Sequence, residues 1–489
     1  MSMPAETLNP GMTLAELLVG VDGLPDVAVH GIASDSRRIE PGCLFLATPG
    51  ASSHGLAFAE QAIERGAAAI AYDPAGAPET VTDLPVPVIP VPGLADRVGE
   101  IANRFYAEPS AALDVFGITG TNGKTTVAWL LARCARALGT RCGYIGTLGA
   151  GIDSITTEHG LTTPGTVELH GMLADFRDRG ASAAAVEVSS HALDQKRVAG
   201  VRFRAALFTN LSRDHLDYHG SMQAYFEAKA KLFLEHSPKA KIINIDSEYG
   251  NELANRCGDD VITVSTRFDR VANGRPYVFV RSVVATEGGS TVRVDSAWGS
   301  AEFTLSMPGD FNVANAVLVM ATLLNEGVGL DAVARALSEV NAPPGRLDRV
   351  PGEGARVYVD FAHTPEALEF VLKALRPHVR GRLTVVYGVV RKPGNVYSLE
   401  KVHVAERLAD QVVLTSDNPR SEEPLEIIEA IRAGTLKPGG VVVIEDRAAA
   451  IAWAIADAAP GDTVLVAGKG HEAFQEIGGE KRPFADVAV

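Results

Sequence analysis

The sequence predicts an α/β protein of three domains, and three observations carry that prediction. Residues 117–126 read Gly-Ile-Thr-Gly-Thr-Asn-Gly-Lys-Thr-Thr, between an apolar strand (Leu113, Val115, Phe116, Ile118) and a helix running through Val127, Trp129, Leu130, Leu131, Cys134 and Leu138 to Gly139. From Val357 onward, strands at Val357–Phe361, 382–387, 411–415, 441–444 and 463–467 alternate with helical patterns, as in a Rossmann-like doubly wound sheet. Pro109 with its neighbouring alanines, and Pro343-Pro344-Gly345, read as a linker and a hinge. They divide the chain into 1–108, 109–343 and 344–489.

The first of these stretches has the context of a P-loop: strand, Gly-rich turn, Lys-Thr, helix. Glycines at 117, 120 and 123 let backbone N–H groups face an anion, and the helix N-terminus adds its dipole. Lys124 can reach outer phosphates, and the Thr125 hydroxyl can hold Mg²⁺. The strict pattern would place a glycine at Ile118; here Gly117 and Gly120 flank that position. An ordinary Gly-rich strand–helix turn is the bland alternative.

Composition narrows the class. With 489 residues, 46% of them hydrophobic, the chain is long enough for several packed cores. A net charge of −15 argues against a nucleic-acid partner held by a general basic surface. The four cysteines (Cys43, Cys134, Cys142, Cys257) lack metal-ligand spacing and read as thiols in a reducing cytosol. With no signal-like N-terminus and no apolar run of membrane length, a cytoplasmic protein is expected; a monomer is expected as well.

In the N-terminal part, Asp35-Ser36-Arg37-Arg38 precedes a Pro41-Gly42 turn and the strand Cys43–Ala47, followed by a helix at Leu56–Arg65 and a strand at Ala67–Tyr72. A Ser and two Arg before a tight turn suit a phosphate or uridine edge; a solvated turn fits the spacing equally well.

In the central part, a strand at Tyr144–Leu148 leads to Thr162-Thr163-Pro164. A Thr before a helix-opening Pro can cap it, which accounts for one threonine but not both. The apolar strand Ala183–Val188 is interrupted by Glu187. A buried carboxylate is costly unless paired or metal-bound, and this one stands at a strand end. A Mg²⁺ ligand is the sharper reading, a structural salt bridge the plainer one. Ser189, Ser190, His191, Gln195 and Arg197 follow. A strand at Ala205–Thr209 then runs into Asn-Leu-Ser-Arg-Asp-His215-Leu-Asp-Tyr-His219-Gly. The helix 221–235 sets Lys229 and Lys231 on a framework of Tyr225, Phe226, Leu232 and Phe233. Exposure is the default for such lysines; an uncharged amine reacting with CO₂ to form an anionic carbamate is the functional option. Residues 261–306 read as antiparallel hairpins. Gly309-Asp-Phe-Asn312-Val-Ala-Asn315 opens a further helix, its asparagines suited to capping.

The segments GTNGKTT, LTTPG, VEVSSHALDQKR, FTNLSRDHLDYHG and YFEAKAKLF, in this order, resemble the Mur ligase family, and the resemblance covers essentially the whole chain. It implies an ATP-dependent amide ligase with a small N-terminal UDP-binding domain, a central mononucleotide-binding domain with added antiparallel strands, and a C-terminal amino-acid-binding domain. By position it implies that Ser36, Thr162, Thr163, Ser189, Gln195 and Arg197 hold UDP-MurNAc-L-Ala-D-Glu. Gly120, Thr121, Asn122, Gly123, Lys124, Thr125, Thr126, Asn312, Asn315, Arg346, Asp360 and His363 would hold ATP. Thr125, Glu187, His215 and carbamylated Lys229 would hold Mg²⁺. Lys124, Lys229, His215 and Arg346 would serve catalysis.

In the C-terminal part, Asp417-Asn418-Pro419-Arg420 follows the third strand and suits a zwitterion, carboxylate to guanidinium and ammonium to Asp. Turn chemistry alone explains Asp-Asn-Pro but not the Arg. In the family this loop marks ligases that choose meso-diaminopimelate over lysine, and Gly468 and Glu472 would complete that pocket. One stretch departs from the pattern. Residues 389–402 keep the family's length but not its Gly-rich chemistry, with Pro393 near where an amino-acid-binding Arg is expected. Compensating frameshifts or a real change that weakens amino-acid binding both produce this. A lysine-adding ligase, a folylpolyglutamate synthetase and a P-loop NTPase switch without ligase activity are the competing readings.

Overall fold

The computed structural model describes residues 11–50, 53–78, 84–157, 159–267, 274–389, 396–419, 423, 425, 428–429, 432, 435–436 and 440–489. By backbone compactness the chain falls into two units, neither continuous in sequence. The first comprises 1–119, 140–206 and 213–239; the second comprises 120–139, 207–212 and 240–489.

The first unit begins with a four-stranded parallel sheet, Gly31–Ala33, Cys43–Ala47, Ala69–Tyr72 and Val88–Pro90, in that order. Its strands are buried on both faces, so they read as continuous apolar runs. The period of two sorts them. Leu44 and Leu46 join Leu14, Ile101 and Phe105 on one side, while Cys43, Phe45 and Ala47 join Leu56 and Ala62 on the other. The helix expected at 56–65 resolves into a 3₁₀ turn, Gly55–Phe58, and a helix, Ala59–Glu64. In the same unit Asp114–Thr119, Ala183–Glu187 and Cys142–Gly146 lie parallel, Ala183–Glu187 in the middle, with Gly149–Gly151 antiparallel at the edge.

The second unit holds the helix Lys124–Ala137, which begins three residues earlier than its apolar pattern because the Lys-Thr-Thr turn is already helical. The strands Ala240–Asn244, Ile262–Ser265 and Tyr277–Thr286 run parallel. Gly289–Ser296 and Gly299–Leu305 extend them as an antiparallel meander, as the hairpin signals predict for 277–305; Ile262–Ser265, expected in a hairpin, instead pairs in parallel on both sides. The helix Asp310–Asn325 is buried on nearly every side. Its N-cap is Gly309, not an asparagine, so the capping expectation fails there. A six-stranded sheet follows in the order Asp348–Val350, Arg356–Asp360, Thr463–Ala467, Leu383–Val389, Gln411–Ser416, Val441–Val443. All its pairs are parallel except the first. Tyr358, Val385, Tyr387, Leu414 and Leu465 fill one face, and Val359, Val386, Val413, Val464 and Val466 the other. Among the described residues, no helix is long and apolar enough to cross a membrane.

Candidate active site

Within the second unit, residues 120–123 form a cradle that opens the helix Lys124–Ala137. Gly120 has φ 149° and Gly123 φ 86°; a side chain at either is strained. A Cβ on Gly120 would lie 1.9 Å from Thr209 Oγ1, and one on Gly123 would lie 2.4 Å from Asn315 Oδ1. The loop is therefore clamped from two directions. Lys124 Nζ donates to the carbonyls of Gly120 and Thr121 at 2.9 Å each. Thr125 and Thr126 are buried in the first turn. The strand-end loop at 209–212 supplies the rest of the clamp. Asn210 Oδ1 accepts from Asn122 N at 3.0 Å, Thr209 Oγ1 donates to Asn122 O at 2.6 Å, and Ser212 N donates to Thr121 Oγ1 at 3.0 Å. These three residues stood in a recognised sequence segment without assigned roles. Their signal was polarity directly after a buried strand. Asn312 and Asn315 are both buried; Asn312 Nδ2 donates to Pro308 O at 2.9 Å, and Asn315 abuts Gly123.

Within the first unit, Glu187 is fully buried at the end of Ala183–Glu187. Tyr144 Oη donates to its Oε1 at 2.5 Å and Thr147 N at 2.9 Å, while Thr147 Oγ1 donates to Oε2 at 3.2 Å. A carboxylate fixed by three donors is a rigid, hard oxygen ligand of the kind Mg²⁺ accepts. Neither Thr162 nor Thr163 caps the next helix, Thr166–Asp178, whose N-cap is Gly165. Thr163 Oγ1 instead donates to Glu187 O at 2.7 Å and accepts from Ser189 N at 3.0 Å. Thr162 Oγ1 lies 3.3 Å from Thr147 Oγ1. Ser189 caps the short helix Ser190–Asp194 through Ala192 N. Arg197 donates to Thr163 O at 3.1 Å and, through Nε, to Gln195 Oε1 at 3.0 Å. The structure thus gathers Thr162, Thr163, Glu187, Ser189, Gln195 and Arg197 into one cluster.

Beside them His191, His215, His219, Tyr218 and Tyr225 form an aromatic group, with His191 and His215 centroids 4.9 Å apart. His215 has φ 50° and its side chain is half exposed. Burial, reinforced by the neighbouring histidines, holds His191 below the usual imidazole range; burial does the same for His219. Lys229 is buried, not exposed, and its ammonium lies 4.5 Å over the Tyr225 ring. Among the described residues no three His, Cys, Asp or Glu side chains converge as a metal group. The expected set has only two of those residue types, the remaining ligands being a threonine hydroxyl and a modified lysine. Ser36 is buried and donates to Gln61 Oε1 at 2.6 Å.

The hinge and the C-terminal loops meet within the second unit. Asp360 Oδ2 accepts from Leu347 N at 2.7 Å, and Oδ1 accepts from Ala362 N at 2.8 Å. The Arg346 guanidinium lies 5.0 Å from the Phe361 ring centre, and His363 Nδ1 is 2.9 Å from Phe361 O. A Cβ on Gly345 would lie 2.2 Å from His471 N, so only glycine lets the hinge reach this loop. Asp417 and Pro419 are buried; Asn418 Nδ2 donates to Glu472 Oε2 at 3.2 Å. Gly468, at φ 117°, sits against Asp417 Oδ2. Arg420 and residues 390–395 lie outside the described residues, and with them the core of the departing stretch.

A clamped Gly-rich anion cradle and a doubly wound terminal sheet define an α/β protein built to hold a phosphate-bearing nucleotide. Three family profiles match in succession: "Mur ligase family, catalytic domain" over residues 28–106, "Mur ligase middle domain" over 118–323 and "Mur ligase, glutamate ligase domain" over 345–470. The chain belongs to the Mur ligase family and has its three-domain α/β architecture. Among similar proteins is a UDP-N-acetylmuramoyl-L-alanyl-D-glutamate–2,6-diaminopimelate ligase of Ectopseudomonas mendocina, 43% identical over 97% of this chain and 96% of that one. One of Pseudomonas aeruginosa with the same name is 42% identical over 94% of each. A solved structure of a ligase of that name aligns with TM-score 0.73 at 32% identity, covering 98% of this chain and 97% of that one. A Mycobacterium tuberculosis folylpolyglutamate synthase, at 19% identity and TM-score 0.59, shares the fold over only 76% of this chain and 92% of its own.

Proposed function

We propose that this chain is the ATP-dependent ligase that joins meso-2,6-diaminopimelate to UDP-MurNAc-L-Ala-D-Glu in the synthesis of peptidoglycan precursors. The observation that carries this reading is the near full-length likeness to ligases of that name, at 43% identity over 97% of the chain. The lesser coverage by folylpolyglutamate synthase supports it over that alternative.

In this reading the D-Glu γ-carboxylate attacks the γ-phosphorus of ATP. The bond to the bridging oxygen breaks, ADP leaves, and an acyl phosphate forms. The amine of diaminopimelate then attacks the acyl carbon, loses a proton and expels phosphate, leaving the amide. Splitting the step replaces a poor leaving group by a good one. Residues 120–126 cradle the phosphates through backbone N–H groups, and Lys124 and Arg346 offset the charge that develops on the transferring phosphoryl group. Asn312 and Asn315 flank the nucleotide, and Asp360 fixes the hinge that carries Arg346. Ser36 takes the uridine end of the second substrate, while Thr162, Thr163, Ser189, Gln195 and Arg197 take its muramoyl-peptide end. Asp417, Asn418, Pro419, Arg420, Gly468 and Glu472 receive the amino acid. Thr125, Glu187, His215 and a carbamate on Lys229 would hold Mg²⁺, which supplies charge neutralisation at the phosphates. The oxygen-rich donor set suits that ion. The enzyme acts in the cytoplasm as a monomer.

The test is phosphate release from ATP with UDP-MurNAc-L-Ala-D-Glu, adding meso-diaminopimelate or L-lysine in parallel. Release with tripeptide formation only in the diaminopimelate arm is expected. Turnover with lysine overturns the choice of amino acid. Release that ignores both amino acids favours an NTPase switch.

A further inference from the structure

Lys469 had no role in the sequence reading, yet it is fully buried at the centre of the loops that carry Asn418 and Glu472. Its ammonium donates to Glu472 Oε2 at 3.0 Å and to Asn418 Oδ1 at 3.2 Å, and it lies 3.9 Å from Asp417 Oδ1. Each of those partners is itself tied. Asn418 Nδ2 donates to the same Glu472 oxygen at 3.2 Å, and Asn418 Oδ1 also accepts from Glu476 N at 3.0 Å. Gln475 Nε2 donates to Asp417 O at 2.7 Å. The strand-end loop at 417–419 and the loop at 468–472 are thereby joined through one cation.

A buried ammonium is costly unless acids and acceptors surround it, and here two carboxylates and an amide oxygen do. The arrangement orients Asn418: with its oxygen occupied by Lys469 and Glu476 N, its amide N–H₂ must face Glu472.

We infer that Lys469 is a positioning residue of the amino-acid site, setting the rotamers of Asn418 and Glu472 that meet the amine-bearing end of the incoming amino acid. This rests on the amino-acid site assigned under the proposed function. Lys469 touches no reacting atom in this scheme.

The experiment compares wild type with Lys469→Met, which keeps the length and removes the charge. The KM for meso-diaminopimelate is expected to rise about tenfold or more, with the KM values for ATP and UDP-MurNAc-L-Ala-D-Glu within about twofold of wild type. In a Glu472→Gln background the same substitution is expected to add little, because the group it aligns is already altered. If Lys469→Met melts far below wild type, the double variant, which removes cation and acid together, is compared with Glu472→Gln alone. An unchanged KM for diaminopimelate, an equal rise for all three substrates, or full additivity with Glu472→Gln overturns the inference. Wild-type enzyme that makes no tripeptide from diaminopimelate overturns instead the functional reading beneath it.

Discussion

The carboxylate of Asp360 accepts the backbone N–H of Leu347 at 2.7 Å, and Leu347 stands at φ 47°, a conformation that non-glycine residues seldom adopt. The other oxygen holds Ala362 N. Burial raises the carboxyl above its usual range, and the nearby Arg346 opposes that shift. Asp360 therefore acts on the hinge backbone next to Arg346. Asp360→Ala leaves two buried N–H groups without their acceptor, at a cost of about 3 kcal/mol. Urea denaturation is expected to show that loss, together with a raised KM for ATP. Asp360→Asn keeps one acceptor and should lose about half as much. Unchanged stability in both variants would falsify the hinge role.

Gly123 and Asn315 make a second testable pair. Gly123→Ala places a Cβ 2.4 Å from Asn315 Oδ1, on a backbone at φ 86°. Two penalties add: about 1 kcal/mol or more for the left-handed backbone, and the displacement of Asn315. ATP affinity is expected to fall at least tenfold. In Gly123→Ala/Asn315→Ala the collision is removed but the backbone strain remains, so nucleotide titration should recover only part of the loss. Complete recovery would show that the backbone conformation contributes nothing.

Glu187 separates structure from chemistry by two substitutions. Glu187→Ala strips the acceptor from Tyr144 Oη and Thr147 N inside a buried site, and a stability loss of about 2–4 kcal/mol is expected. Glu187→Gln keeps an acceptor oxygen and the volume, so its melting temperature should stay within a few degrees of wild type. It loses the anionic charge, and ligase activity is expected to fall at least a hundredfold, with a higher Mg²⁺ concentration needed for half-maximal rate. A Gln variant with normal activity excludes a metal-linked role.

What the sequence revealed, and what it did not, follows one physical rule. Glu187 was visible because a carboxylate interrupts an apolar strand, and buried polar groups need partners, whereas the roles of Thr163 and Lys229 came from the family resemblance. The partners themselves were hidden. Tyr144 belongs to a strand 43 positions before Glu187, and nothing in local periodicity links them. Asn210 was visible as a polar residue after a strand, but its bond to Asn122 N is a tertiary fact. The capping expectations at Thr163 and Asn312 failed for different reasons. A distant partner, Glu187 O, took the Thr163 hydroxyl, whereas Asn312 turns back within its own turn to Pro308 O, ahead of the Gly309 cap. The strands of the terminal sheet were legible because both faces are buried, giving uninterrupted apolar runs.

Acid should destabilise the protein in a specific window. Burial lowers the pKa of His159, His170, His191, His219 and His236 below the usual value. His170 is the most enclosed, with Nε2 2.9 Å from Ala199 O, and a Cβ on Gly200 would lie 3.2 Å from that nitrogen. A histidine whose folded pKa is depressed stabilises the fold fully above its unfolded pKa, about 6.5, and that contribution is lost as pH falls through the folded value. The melting temperature is expected to drop between pH 7 and pH 5. His170→Gln keeps a neutral side chain of similar reach, so its curve should be flatter over that interval. A wild-type curve that stays level to pH 5 contradicts the assignment.

Lys401 carries the opposite kind of opportunity. It lies in the helix Val396–Leu408, just inside the stretch that departs from the family pattern, and it is buried. Its Nζ is 3.4 Å from Gly388 O and 5.2 Å from the Tyr387 ring centre. Burial pulls its pKa down to about 8; Asp417 works against that shift and Arg447 with it. Against an unfolded value near 10.4, keeping this ammonium charged at neutral pH costs roughly 3 kcal/mol. The sign follows from the depressed folded value. The penalty is complete below pH 8, shrinks as pH rises from 8, and vanishes above the unfolded value. Lys401→Met removes the charge and keeps the volume, so it is expected to be more stable than wild type by about 2–3 kcal/mol at pH 7, with the gap closing toward pH 10. Chemical denaturation at the two pH values measures this directly. A variant less stable than wild type at pH 7 would mean that the attraction of Asp417 outweighs burial, and that this lysine is a structural part of the loop it underlies.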